Sequence, residues 1–290
     1  MSGVHSAPSA IASACLLNFG CGGTYHSDWI NLDAVPVSPD VIGHDLTREL
    51  PFADERFDAV YGSHVLEHLE PKDAMRLLVD CFRVLKPGGI VRVVVPDLEG
   101  MVRLYLSSLE GALTRDAASE ERYDWIMLEL YDQVVRKTSG GEMAAYLARP
   151  LGERQSRFVA SRIGDEGAGD TTDPVRRFSG VARLRRRGSA AVSALRRVAA
   201  SAFTFLLMGS EGSAALNEGM FRRSGEVHQW MYDRFSLGRA LERVGFSSVR
   251  VRAAGQSDIP EFARYQLELR NGRVRKPDSL FVEGHKPARL

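Results

Sequence analysis

Four residues stand nearest to chemistry in this chain, because each closes a short apolar run: Gly20, Gly22, Asp33 and Asp45. The first run, residues 14–19, stops at Gly20-Cys21-Gly22-Gly23. That is a buried strand ending in a glycine turn, where backbone can approach a ligand without side-chain obstruction. Asp33 ends a second run, 29–33, where a carboxylate can accept two hydrogen bonds from ribose hydroxyls. Asp45 follows a third run, 40–44, and can accept from an exocyclic amine while Leu46 flanks an aromatic base. Each has a plainer alternative. The glycines make a tight turn without any ligand, Asp33 is a solvated turn residue, and Asp45 is a helix or turn cap.

Positioning these groups requires strands. A fourth is expected at 57–61, followed by Gly62 and Ser63, and the β-branched run 90–95 is a fifth. Between them, Ala74, Leu77, Leu78, Cys81, Phe82 and Leu85 recur at helical spacing behind Pro71, which predicts a helix over 71–85 with that face buried. Lys86-Pro87-Gly88-Gly89 ends it. Alternation of this kind gives a parallel sheet wrapped in helices. The rhythm breaks over 98–227, where 101–109 and 119–137 look helical and 164–173 is a Gly/Asp-rich loop. It returns with a helix over 236–244 and strands at 248–252 and 280–284. Residues 1–13 read as a loose tail.

The gap from Gly20 to Asp33 is shorter than the ~20 residues usual in nicotinamide enzymes, so the first crossover helix must be very short or replaced by a loop. A full G-x-G-x-x-G fingerprint is missing, as is the G-K-[ST] of a phosphate-binding loop. Among 290 residues, 44% are hydrophobic and 26% charged, which excludes wholesale disorder. Thirty-eight basic residues against 37 acidic leave a net charge of +1, so no global field points to nucleic acid. The three cysteines, Cys15, Cys21 and Cys81, suggest neither a disulfide framework nor a zinc site. Reduced, cytoplasmic residence and metal-independent chemistry are the expectations.

In order, Leu17-Asn18-Phe19-Gly20-Cys21-Gly22, Asn31-Leu32-Asp33, Asp45-Leu46, Leu50-Pro51-Phe52, Phe57-Asp58-Ala59-Val60, Leu66-Glu67-His68-Leu69 and Arg83-Val84-Leu85-Lys86-Pro87-Gly88-Gly89 resemble class I S-adenosylmethionine-dependent methyltransferases. The resemblance is to the type 11 group, including bacterial members associated with cell-surface polysaccharide synthesis. The segments 227–237 and 276–280 also look like that subgroup. The resemblance implies a Rossmann-like fold, a seven-stranded, mostly parallel sheet with the last strand antiparallel and a long helical insertion after the fifth strand. It implies S-adenosyl-L-methionine as cofactor, with Asn18, Gly20, Cys21 and Gly22 under the methionine part, Asp33 at the ribose, Asp45 and Leu46 at the adenine, and Ser63 and His64 facing the methionyl end or the acceptor. Asn18 stands where the family usually has an acidic residue.

For such an enzyme, alignment of an in-line displacement supplies most of the rate, and a hydroxyl acceptor needs a general base near neutral pKa. Histidine is the natural candidate. His44, His64, His68 and His228 sit in suggestive places, and His64, His68 and His228 are the catalytic candidates, with a loop-positioning hydrogen bond as the alternative role for His68. His228 leads into Trp230, Tyr232 and Asp233, which mix aromatic surface with polar tips as a sugar-binding wall would. Packing of the insertion on the sheet is the other reading. The expected reaction is O-methylation of a sugar hydroxyl in a surface polysaccharide or its precursor. The rivals are a cofactor-binding but catalytically silent scaffold in glycan assembly and a NAD-dependent oxidoreductase. A nucleic-acid methyltransferase would carry an Asn/Asp-Pro-Pro-Tyr/Phe motif, which is absent.

Arg176, Arg177, Arg183, Arg185, Arg186, Arg187, Arg196 and Arg197 precede the apolar run 198–208. That run is well short of the ~20 residues needed to cross a bilayer. The pairing suits a lid helix with its apolar face on the core or peripheral contact of 176–208 with the inner face of a membrane, and less well nucleic-acid binding, which would spread basic residues over a whole face.

Overall fold

Side chains on a strand alternate between two faces, and here both faces are apolar, so the sheet must be covered on each side. The computed structural model describes residues 14–164 and 190–289. The tail 1–13, all but the first residue of the Gly/Asp-rich segment 164–173, and Arg176 to Arg187 lie outside the described residues. Seven strands form one sheet: β1 (Leu16–Phe19), β2 (Ile30–Asp33), β3 (Val41–Gly43), β4 (Phe57–Ser63), β5 (Leu85–Pro96), β6 (Ser247–Arg252) and β9 (Ser279–His285). Their order is β3-β2-β1-β4-β5-β9-β6, parallel throughout β3 to β5, with β9 antiparallel to both β5 and β6. This is the seven-stranded Rossmann-like methyltransferase sheet, with the antiparallel last strand and the long helical insertion that the resemblance implied. A two-stranded ribbon, β7 (Leu269–Arg270) with β8 (Arg273–Val274), is additional.

One face carries Leu17, Phe19, Val60, Val91, Val93 and Val95. It is covered by α1 (Pro71–Val84), through Leu77, Leu78 and Cys81, and by the helix Arg234–Val244 through Leu237 and Leu241. Burying each such leucine contributes about 1.5–3 kcal/mol. Phe82, expected on the buried face of α1, is only partly buried and meets Phe246 edge-on at 5.0 Å. The helix stops one residue short of Leu85, which already pairs with Phe57 as the start of β5.

The opposite face carries Leu16, Ala59, Tyr61, Ile90 and Val94. The crossover from β1 to β2 is a loop, as the short spacing requires, and brings no helix to this face. Trp29 and the C-terminal segment cover it instead: Trp29 lies edge-on to Tyr61, Phe262 and Tyr265. Arg92, fully buried in β5, ties the cover down by donating to the carboxylates of Glu268 and Glu283 and to the carbonyls of Ala254 and Gln256.

The insertion is helical: α2 (Leu98–Leu113), α3 (Ala117–Val135), α4 (Gly141–Leu147), α5 (Glu153–Ile163) and α6 (Ala190–Arg222). Trp125, Met143, Tyr146 and Val159 give it a small core of its own. Gly209 breaks α6, with φ of 69°. Among the described side chains of α6, Val198, Phe203, Phe205, Leu206, Leu207 and Met208 are exposed. The helix Arg234–Val244 is α7.

Candidate active site

The glycine turn follows β1 directly and is shaped by close packing. Gly20 has φ of +64°, and a Cβ there would lie 2.2 Å from Val65 Cγ2. Gly22 has φ of +51°, and a Cβ there would meet nothing within 4 Å, so its backbone faces open space. Below the turn, the buried Asn18 donates from Nδ2 to the Thr24 carbonyl and to Asn31 Oδ1, each at 3.1 Å. An amide therefore braces the loop from the position of the family's usual carboxylate.

Asp33 holds the lip of the turn. Its Oδ2 accepts from the Gly22 N–H at 2.8 Å and its Oδ1 from Val35 N–H at 2.8 Å. A carboxylate oxygen has two lone pairs, so each retains capacity for a ribose hydroxyl. A cavity of about 280 Å³ opens here, lined by Asn18, Gly20, Cys21, Gly22, Ser63 and His64, with Tyr61, Glu268, Arg275 and Lys276 opposite. This is near the lower end of the usual size range for ligand pockets, ~300–1,000 Å³. Open backbone at Gly22, a braced loop and a carboxylate with spare acceptors fit an adenosyl sulfonium ligand. Burial and the neighbouring Asp33 charge push the Cys21 thiol up to about 12, so it stays protonated and contributes contact rather than nucleophilicity.

The adenine-side residues are placed differently. Asp45 Oδ1 accepts from the N–H and hydroxyl of Thr47, which makes the turn cap weighed as its alternative. Those bonds hold its carboxyl below the usual range. Leu46 is buried in the main core. Neither lines the cavity, and nor does Asp33 itself.

The three catalytic candidates converge around Glu67. His64 follows β4 with φ of +54°, a conformation a non-glycine residue adopts at a cost. Its Nδ1 lies 3.1 Å from Glu67 Oε1 and its Nε2 lies 2.8 Å from Ser279 Oγ. His68 Nε2 is 3.9 Å from the same Glu67 oxygen. His228 stands edge-on to His68, ring centroids 4.7 Å apart. Glu67 is fully buried and His228 is 3% exposed. Burial lowers the basicity of His68, against the pull of Glu67, and pushes His228 well below the usual histidine range, so both rings are neutral near pH 7. Of the three, His64 lines the cavity. His44 lies apart, after β3, its backbone N–H donating to the Asp33 carbonyl.

The expected sugar wall contracts to one residue. Tyr232 is 6% exposed and belongs to the main core, because its backbone is bridged to Asp97 at the root of the insertion. Asp233 caps α7, accepting from Phe235 and Ser236 in a capping box. Trp230 remains half exposed, with its backbone N–H 3.2 Å from the Glu67 carbonyl. Sequence reasoning missed Glu67 as the hub, Glu268 in the cavity wall, and the buried Arg92 that holds it. An arginine at the centre of an otherwise apolar strand was the available signal for the last.

Residues 17–93 match the family model of a methyltransferase domain. A protein of Mycolicibacterium smegmatis described as a probable S-adenosylmethionine-dependent methyltransferase is 34% identical over 99 residues, 28% of this chain. The match spans 38% of that relative's length. Among solved structures, a SAM dependent methyltransferase from Archaeoglobus fulgidus is 12% identical over 95% of this chain and 87% of its own, with a TM-score of 0.36. The PH0226 protein of Pyrococcus horikoshii is 22% identical over 31% of this chain and 52% of its own, with a TM-score of 0.25. The family match places a methyltransferase domain over residues 17–93, the stretch that runs from β1 through β4 and holds the glycine turn, and S-adenosyl-L-methionine is the cofactor that such a domain calls for.

Proposed function

We propose that the chain transfers a methyl group to a hydroxyl oxygen of a sugar, in a cell-surface polysaccharide or its precursor. The observation that carries this reading is the half-exposed Trp230, whose backbone N–H is held 3.2 Å from the Glu67 carbonyl at the His64–Glu67–His68–His228 cluster, of which His64 lines the glycine-turn cavity. An exposed indole is a stacking platform for the apolar face of a sugar ring. The cofactor supplies an electrophilic methyl group on a cationic sulfur.

The chain supplies alignment and a place for the proton. The Gly20–Gly22 backbone, held by Asp33 at the lip of the turn, and the cavity at the carboxyl ends of β1 and β4 would hold the donor. His64 takes the hydroxyl proton at Nε2, where the acceptor hydroxyl replaces Ser279 Oγ, and the Glu67 carboxylate 3.1 Å from Nδ1 stabilises the imidazolium that results. The exposed apolar face of α6 supports an acceptor presented at a membrane surface. No helix among the described residues is long and apolar enough to cross a membrane.

The test combines calorimetry and transfer. S-adenosylmethionine and S-adenosylhomocysteine should bind the full chain at micromolar strength, and radiolabelled methyl should pass to nucleotide sugars or lipid-linked glycans. Trp230→Ala should raise the acceptor KM about tenfold, with kcat less affected, as loss of a stacking surface does. Cofactor binding without transfer to any glycan would overturn the acceptor assignment.

A further inference from the structure

We propose that Glu67, His68 and His228 bind one divalent transition-metal ion, zinc in the first instance. Glu67 and His68 are placed by the single turn Leu66–His68 after β4, and His228 is placed by the segment on which the insertion rejoins the sheet. One ligand atom from each side chain lies within 4.8 Å of the other two. Two imidazoles and a carboxylate are a donor set suited to zinc and to other late first-row divalent ions. Ligand bonds of ~2.0–2.2 Å place tetrahedral donors about 3.4 Å apart, so closure on an ion requires side-chain movements of about 1 Å.

A second observation points the same way. His68 Nδ1 and His228 Nδ1 are both buried and make no hydrogen bond, and the His228 residue is 3% exposed. Buried ring nitrogens are ordinarily satisfied, so each ring carries donor capacity that the fold itself leaves unused. The surroundings are arranged to hold such a site. His64 braces the Glu67 carboxylate, the Glu67 carbonyl accepts from Gln229 and Trp230, and His228 N–H donates to the Gln133 carbonyl. The His68 side chain is 26% exposed, which gives an ion a route from solvent. Three protein ligands leave a coordination position open, as catalytic rather than structural zinc sites do.

Metal binding itself does not depend on the methyltransferase reading. Its consequence does: an ion on Glu67 lies one contact from His64, beside the cavity, where its open position would take an acceptor hydroxyl and lower the pKa of that hydroxyl.

The full chain, stripped with EDTA and desalted, is titrated with Zn²⁺ and its metal content measured by mass spectrometry. Co²⁺ serves as a spectroscopic probe. The expected result is one ion per chain, visible Co²⁺ d–d bands displaced by Zn²⁺, and at least a 100-fold loss of affinity in His68→Ala and in the near-isosteric His228→Gln. The far-ultraviolet circular dichroism and thermal unfolding of each variant report that it is folded. Substoichiometric metal in the wild type, or wild-type occupancy in a folded His68→Ala, overturns the proposal. Stoichiometric metal without S-adenosylhomocysteine binding would uphold the metal site and sink the proposed consequence for catalysis.

Discussion

His68 and His228 meet edge to face, ring centroids 4.7 Å apart and planes at 81°, although one belongs to the cofactor half of the sheet and the other to the far end of the insertion. The contact is one of several that close the insertion on itself. Leu98 N–H, at its start, donates to the Tyr232 carbonyl at 3.0 Å, and Gln229 and Trp230, at its end, donate to the Glu67 carbonyl. A long excursion thus leaves and rejoins the sheet at neighbouring points. Trp230 is thereby held in register with the carboxyl ends of β4 and β5 whatever the outer helices do.

Asp33 is the residue by which cofactor affinity is most directly tested. Both its oxygens hold backbone N–H groups, and both keep lone pairs for a ribose. Asp33→Ala removes charge-assisted hydrogen bonds worth about 1.5–3 kcal/mol each. Calorimetry should show S-adenosylhomocysteine binding weakened on the order of 100-fold, with the far-ultraviolet spectrum unchanged. Unchanged affinity would remove Asp33 from the cofactor site and with it the placement of the ribose.

The outer surface of α6 makes a separate prediction. Phe203, Leu206, Leu207 and Met208 are each at least 64% exposed, an apolar patch that costs solubility unless something covers it. With the arginines that precede it in sequence, the patch matches the composition of an interfacial helix. Co-sedimentation with vesicles containing anionic lipid should therefore exceed that with neutral vesicles. Leu206→Glu with Leu207→Glu should reduce it about tenfold or more without weakening S-adenosylhomocysteine binding. Equal, negligible sedimentation with both vesicle types would refute membrane contact.

Much of this was legible from the chain and some was not, for identifiable reasons. β-Branched runs bounded by glycine and proline marked the strands, and the short interval before Asp33 announced the missing first helix, because such signals are local. Tyr232 and Asp233 were misplaced because a polar aromatic and an aspartate look alike whether they face a ligand, fill a core or cap a helix. In the sequence Glu67 stands only within the run Leu66-Glu67-His68-Leu69. Its role depends on His64 and His228, and the contact with His228 crosses the whole insertion. Without a compact ligand spacing, no metal motif was visible, and metal-independent chemistry was the natural expectation. Trp29 replacing a helix as cover for the sheet was hidden for the same reason: its partners Phe262 and Tyr265 lie near the other end of the chain.

Glu268 gives the cavity a charge that changes near neutral pH. Its carboxyl is pushed up to about 7 by burial, against the hydrogen bond and charge of Arg92, because Arg92 is shared with Glu283 and the second carboxylate adds to the rise. Above that value Glu268 is ionised, and below it neutral. The methyl donor carries a positive sulfur and its demethylated product does not, while both share every other group. The ratio of their affinities isolates the interaction with the sulfonium. One added negative charge lining the cavity, in an effective dielectric of about 20, favours the cation by on the order of tenfold. Preference for S-adenosylmethionine over S-adenosylhomocysteine should therefore rise by that factor from pH 6 to pH 8, and should be flat in Glu268→Gln. The sign for stability is opposite. Between about 4.5 and about 7 the folded chain keeps a proton that the unfolded chain has lost, so this group's stabilising contribution declines as pH rises through the window. A wild-type affinity ratio independent of pH would show that Glu268 does not face the sulfonium.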